Sequence, residues 1–199
     1  LHLCNKNFPN MNSKDSSKAK NDLLLDVCMA AKFEGESLKT YRAQYDEQYP
    51  SSVSTFTMCT MLARSFADIG DIIRGKDLYR RDNKKDKLQQ NLKKIFKEIY
   101  DEVTTNGKKG AQNYYKDENG GNFFKLREDW WTANRGTIWK AITCKADTGN
   151  AYFRPTCDIN NEKGPSQTHN KCRCKDKNGT SGDVNIVPTY FDYVPQYLR

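Results

Sequence analysis

The sequence predicts an all-α, disulfide-stapled helical bundle with long irregular loops. Three observations lead there. Four stretches carry apolar residues at helical spacing, and none alternates convincingly as a strand. Seven cysteines stand beside only two histidines, His2 and His169. The closest cysteine pair, Cys172-Arg173-Cys174, is a C-x-C, so the spacing of a zinc site is missing and disulfides formed in an oxidising compartment are expected. Seven is odd, so one thiol stays single or finds a partner, such as one for Cys4, in a longer chain.

The elements follow in order. Residues 5–20 are polar and read as a loop. Asp22 caps a first helix in which Leu24, Val27, Cys28, Ala31 and Leu38 recur at helical spacing. Leu23, Leu25, Met29 and Phe33 widen its apolar surface, and Gly35 weakens its far end. Pro50-Ser51-Ser52 signals a second helix from Val53 to about Arg74, stopped by Gly75. Its stripe is Phe56, Cys59, Leu62, Phe66, Ile69 and Ile73.

A third helix covers roughly 84–104. Leu88, Leu92, Ile95, Ile99 and Val103, with Phe96, face inward, which turns Lys87, Lys93, Lys94 and Lys97 outward together. Residues 105–122 are Gly- and Asn-rich and read as a loop. A fourth helix covers 123–143, with Trp130, Asn134, Ile138 and Ile142 on one side and Trp131 and Trp139 flanking it. Trp130 and Ile138 are expected to be core residues, not ligand contacts. Residues 144–187 are irregular and hold four cysteines, as a long loop in a compact domain needs staples or a function. Pro195 can open a short helix near the last residue.

The composition narrows function. The chain has 199 residues, a formal net charge of +8 and 12% aromatics. Its mean hydropathy is -0.92. That aromatic content argues against disorder, and no apolar run approaches the ~20 residues of a spanning helix. Positive charge is clustered. Residues 76–97, with Arg80, Arg81, Lys84 and the lysines above, carry net +6, and residues 163–177 carry net +4. Such clusters suit nucleic acid, a membrane surface or a sulfated sugar, and for one lysine run the plain alternative is a solvated face. No catalytic constellation, phosphate-binding loop, metal set or cofactor motif is present. Glu128 and Asp129 read as partners of Arg127 or Arg135. Asn178-Gly179-Thr180 fits a glycosylation sequon.

Cys28 and Cys59 lie on apolar stripes of neighbouring helices, which predicts a bond between them. Among Cys144, Cys157, Cys172 and Cys174, a Cys172–Cys174 bond would strain a three-residue loop. Two connectivities remain, and the nested one, Cys144–Cys174 with Cys157–Cys172, is favoured.

Four runs together carry more information than periodicity does. They are Cys59 to Gly75 (CTMLARSFADIGDIIRG), Leu126 to Arg135 (LREDWWTANR) continuing to Trp139–Cys144 (WKAITC), Cys172-Arg173-Cys174, and Val187 to Arg199 (VPTYFDYVPQYLR). In that order they closely resemble the Duffy-binding-like domain, alpha class, which heads the variant erythrocyte membrane adhesion proteins of Plasmodium falciparum. The resemblance implies that residues 1–80 are the end of a first helical subdomain and 81–199 a second with its Cys-rich loop, in one truncated domain. It further implies a non-enzymatic adhesion domain without cofactor. The domain would sit on the outer face of the infected red-cell membrane, exposed to antibody and to antigenic variation, and bind red-cell receptors or heparan sulfate-like glycans in rosetting.

Arg80, Arg81, Lys84, Lys87, Lys93, Lys94 and Lys97 are the candidate polyanion contacts, and the 163–177 loop is the next candidate. Two other functions compete: a basic helical nucleic-acid-binding module, against which the cysteine usage argues, and an antigenic surface domain without its own ligand. Neither nucleic acid nor membrane insertion is expected of this chain.

Overall fold

The computed structural model describes residues 19–49, 57–78, 83–105, 109–116, 120–147, 152, 154–157, 164–168, 170–174 and 187–199. Among the described residues five α-helices follow one another: α1 (Ala19–Gln48), α2 (Met58–Arg74), α3 (Asn83–Thr105), α4 (Lys109–Tyr114) and α5 (Phe124–Ile142). Single 3-10 turns at Phe191–Tyr193 and Gln196–Leu198 close the chain. Among the described residues there is no strand, only isolated bridges at Cys157–Ser166 and Asn170–Arg173.

α1 starts before Asp22, which therefore lies in its first turn, and it runs through Gly35 without a break. The reason for glycine there is proximity. A Cβ at Gly35 would lie 2.1 Å from the Ile142 carbonyl oxygen, where α1 crosses the end of α5. α2 is opened by Thr57, whose hydroxyl accepts from Thr60 N–H, and closed by Gly75 at φ 74, a left-handed conformation favouring glycine. The expected start signal at residues 50–52, and Phe56, lie outside the described residues. One short helix, α4, interrupts the expected 105–122 loop, and Pro195 opens a single 3-10 turn.

α1 packs on α5 and α2, α2 also packs on α5, and α3 closes one side. One buried cluster draws on residues either side of position 80: Val27, Ala31, Leu62, Phe66, Leu92, Phe96, Trp131, Ile138 and Trp139. Its aromatic centre is Phe66, with ring centroids 5.1 Å from both Trp131 and Trp139. Ile138 is fully buried. Trp130 is not at the centre. It is half-buried and packs edge-on against Phe96 at 6.1 Å, while Trp131 and Trp139 are sealed from solvent. α5 is enclosed by α1 and α2 together, so its buried sector is rotated from the single stripe that the spacing suggested. Leu88 likewise does not face the core: it is 44% exposed, and α3 is seated by Leu92, Phe96 and Ile99.

The disulfides correct the expected pairing. Cys59 bonds Cys172, with Cα atoms 5.4 Å apart, so it does not bond Cys28. Cys157 bonds Cys174, which excludes both bridges of the nested arrangement, Cys144–Cys174 and Cys157–Cys172. Cys28 is buried in α1 and Cys144 is half-buried beyond α5. The cause is the docking of the C-x-C segment over the bundle. Trp139 Nε1 donates to the Cys172 carbonyl at 3.0 Å. Arg173 donates to Thr143 Oγ1 at 2.8 Å and to the Lys140 carbonyl at 2.7 Å, covering the end of α5. Cys172 is thereby carried to the first turn of α2, where Cys59 sits.

Candidate receptor-binding surface and the framework that carries it

The outer face of α3 is the basic surface that the sequence singled out. Lys87, Lys94 and Lys97 are exposed and Lys93 is half-buried. Lys84 lies in the first turn of the helix, and Arg80 and Arg81 lie outside the described residues. The surface is not uniformly positive. Glu98, Asp101 and Glu102 are exposed on the last two turns, and Lys97 pairs with Asp101 at 2.8 Å. Helix 83–105 holds six lysines and four acids, a net of only +2, so positive potential is concentrated on its amino-terminal half. The second basic candidate also thins out. Lys171 is exposed, but Arg173 turns inward to cap α5, and burial lowers its pKa. Lys163, Lys175 and Lys177 lie outside the described residues.

A second cluster of charges is buried. The carboxylate of Asp192 accepts from Trp131 Nε1 at 2.9 Å and, bidentately, from Arg135 at 2.8 Å on each oxygen. Arg135 also donates to the Thr189 carbonyl at 2.8 Å. Arg74, 1% exposed, donates to the Asp71 carboxylate and the Gly70 carbonyl, each at 3.0 Å, and to the Asp192 carbonyl. Arg199 ties Asp68 at 3.0 Å and also Asp71. Residues 187–199 are thus laid along α2 and α5 as a strap. Tyr152 joins it: its hydroxyl lies 3.2 Å from Thr189 Oγ1, and burial raises its pKa.

Burial raises the pKa of Asp68 and of Asp71 above the usual carboxylate value. Arg199 acts against this at both, and Arg74 does so at Asp71. Glu128 pairs with Lys76 and with Arg74 at 3.5 Å, so the expected partners Arg127 and Arg135 are engaged elsewhere. Arg127 donates to the Ile73 carbonyl at 2.6 Å and to Gln89 at 2.9 Å.

The arginines of this network each join residues distant in sequence, which suits it to holding segments together. Among the described residues no group of three or more His, Cys, Asp or Glu is placed to hold a metal ion. No described helix is long and apolar enough to cross a membrane. Residue periodicity missed the network. The available signal was charge inside apolar runs: Asp71 and Arg74 in the most apolar helix, and Asp192 within an aromatic segment.

The Duffy binding domain model matches residues 1–199. The chain belongs to the Duffy binding domain family. Solved structures agree with the fold. The PfEMP1 IT4var13 DBLbeta domain bound to ICAM-1 is 29% identical, with a TM-score of 0.56 over 92% of this chain and 38% of that one. Another PfEMP1 DBLb domain, bound to human ICAM-1, is 29% identical with a TM-score of 0.54, over 88% of this chain and 30% of that one. The ICAM-1-binding PfEMP1 IT4var13 DBLbeta domain is 30% identical with a TM-score of 0.54, over 88% of this chain and 34% of that one. This Duffy binding domain chain therefore spans about a third of the length of the solved chains it matches. No curated protein sequence matches it.

The runs that resemble the family meet in the framework. Gly70, Asp71 and Arg74 come from the first, Trp131, Arg135 and Trp139 from the second, Cys172 from the third, and Thr189, Asp192 and Arg199 from the fourth. In this Duffy binding domain they hold the fold together.

Proposed function

We propose that this Duffy binding domain is an extracellular adhesion module of a variant surface antigen, displayed on the infected red cell, which binds a host receptor protein or a sulfated glycan. One observation carries the reading: solved domains of the same family, about 30% identical over most of this chain, are bound to the host protein ICAM-1. The fold shared with them is held here by the buried network and by the Cys59–Cys172 and Cys157–Cys174 bridges, leaving the exposed faces available for a receptor. The alpha class, with its rosetting of uninfected red cells, is the finer assignment that the four runs support.

Any polyanion contact belongs to the amino-terminal half of α3. Lys87 and Lys94 stand out from it, and Arg80, Arg81 and Lys84 lead into it by sequence. Polyanion binding by displacement of counterions weakens steeply with salt. The test is retention on immobilised heparin across a salt gradient, beside binding to uninfected human red cells. The Lys87→Gln/Lys93→Gln/Lys94→Gln/Lys97→Gln variant is expected to keep its fold, since exposed substitutions shift stability by less than about 0.5 kcal/mol each, and to elute at lower salt. Elution at the parent's salt would remove α3 from the reading.

A further inference from the structure

We draw no further inference here: the strongest candidate, the exposed aromatic patch that Tyr190 and Tyr193 form beside Arg135 on the outer side of the strap, carries nothing, because Arg135 is already neutralised by Asp192 and nothing in the structure shows what covers the two tyrosines.

Discussion

Replacing Gly35 with alanine sets two effects of opposite sign against each other. In a helix interior, glycine to alanine ordinarily stabilises by up to about 1 kcal/mol, because the backbone loses less freedom on folding. Here the new Cβ would lie 2.1 Å from the Ile142 carbonyl oxygen and 3.1 Å from its carbonyl carbon. Real Cβ contacts stop near 3.0 Å, so α1 and the end of α5 must part by about 0.9 Å. Both obstacles are backbone, so no side-chain rotation relieves them. A gap of that size forfeits a quarter to a half of each dispersion contact along the seam, where Ala31 and Ile142 are essentially sealed from solvent. Overpacking of this kind costs about 1–3 kcal/mol, which outweighs the helix gain once the seam is loosened. For a chain of this size each kcal/mol moves Tm by about 2–4 °C. Gly35→Ala is expected to melt several degrees below the parent in circular dichroism at 222 nm. Gly110→Ala, where a Cβ meets nothing within 4 Å, is expected to melt at or above it. A Gly35→Ala variant as stable as Gly110→Ala would refute the close helix crossing.

The same structure makes three further predictions. Removing the Cys59–Cys172 bridge by substituting both cysteines with alanine should lower stability by about 2–5 kcal/mol, seen as an earlier urea midpoint, whereas Cys28→Ala should leave the Cys59–Cys172 peptide intact in non-reducing mass mapping. Trp131→Ala should cost about 3–5 kcal/mol and Trp130→Ala clearly less in the same titration, because only the former is sealed and bonded to Asp192; equal losses would contradict the rotated face of α5. Asp71 has its pKa raised in the fold, so the folded chain takes up its proton at a higher pH than the unfolded chain. Stability from this group is therefore fully present below the unfolded value, near 3.9, and lost as pH rises through the folded value. The Tm of the parent minus that of Asp71→Asn should grow as pH falls from 7 to 4, and a shrinking difference would show that the arginines outweigh burial.

What was legible followed from periodicity. The four long helices and the stop at Gly75 are visible because a helix must bury a stripe, and the stripe is written at 3.6-residue spacing. Whatever depends on which elements meet was not visible. Cys28 and Cys59 share a stripe pattern, yet Cys59 is claimed by Cys172, brought over the bundle by hydrogen bonds from Trp139 and Arg173 that no local pattern encodes. Trp130 and Leu88 were placed inside by spacing alone, and the position of neighbouring helices decides otherwise. Lys87, Lys94 and Lys97 face outward because Leu92, Phe96 and Ile99 seat the helix, but Lys93 is half-buried and exposed acids occupy the last turns. The tyrosines of α1 looked like ordinary continuation of a core stripe. Only the length of the helix relative to its partners shows that they stand in water.

The Cys59–Cys172 bridge also fixes how the chain answers a mechanical load. Tension applied between α1 and residue 199 reaches Cys59, crosses the sulfur–sulfur bond to Cys172 and leaves through the strap, bypassing the 112 residues between the two cysteines. Those residues include nearly all of α2, together with α3, α4 and α5, which carry the exposed lysines. At about 3.4 Å per residue they represent close to 380 Å of slack that a reduced chain would pay out and the oxidised chain keeps coiled. In a force-clamp record the oxidised form should therefore extend by about 380 Å less than the reduced form. The helix that bears the basic face lies inside the bypassed loop and carries none of the load.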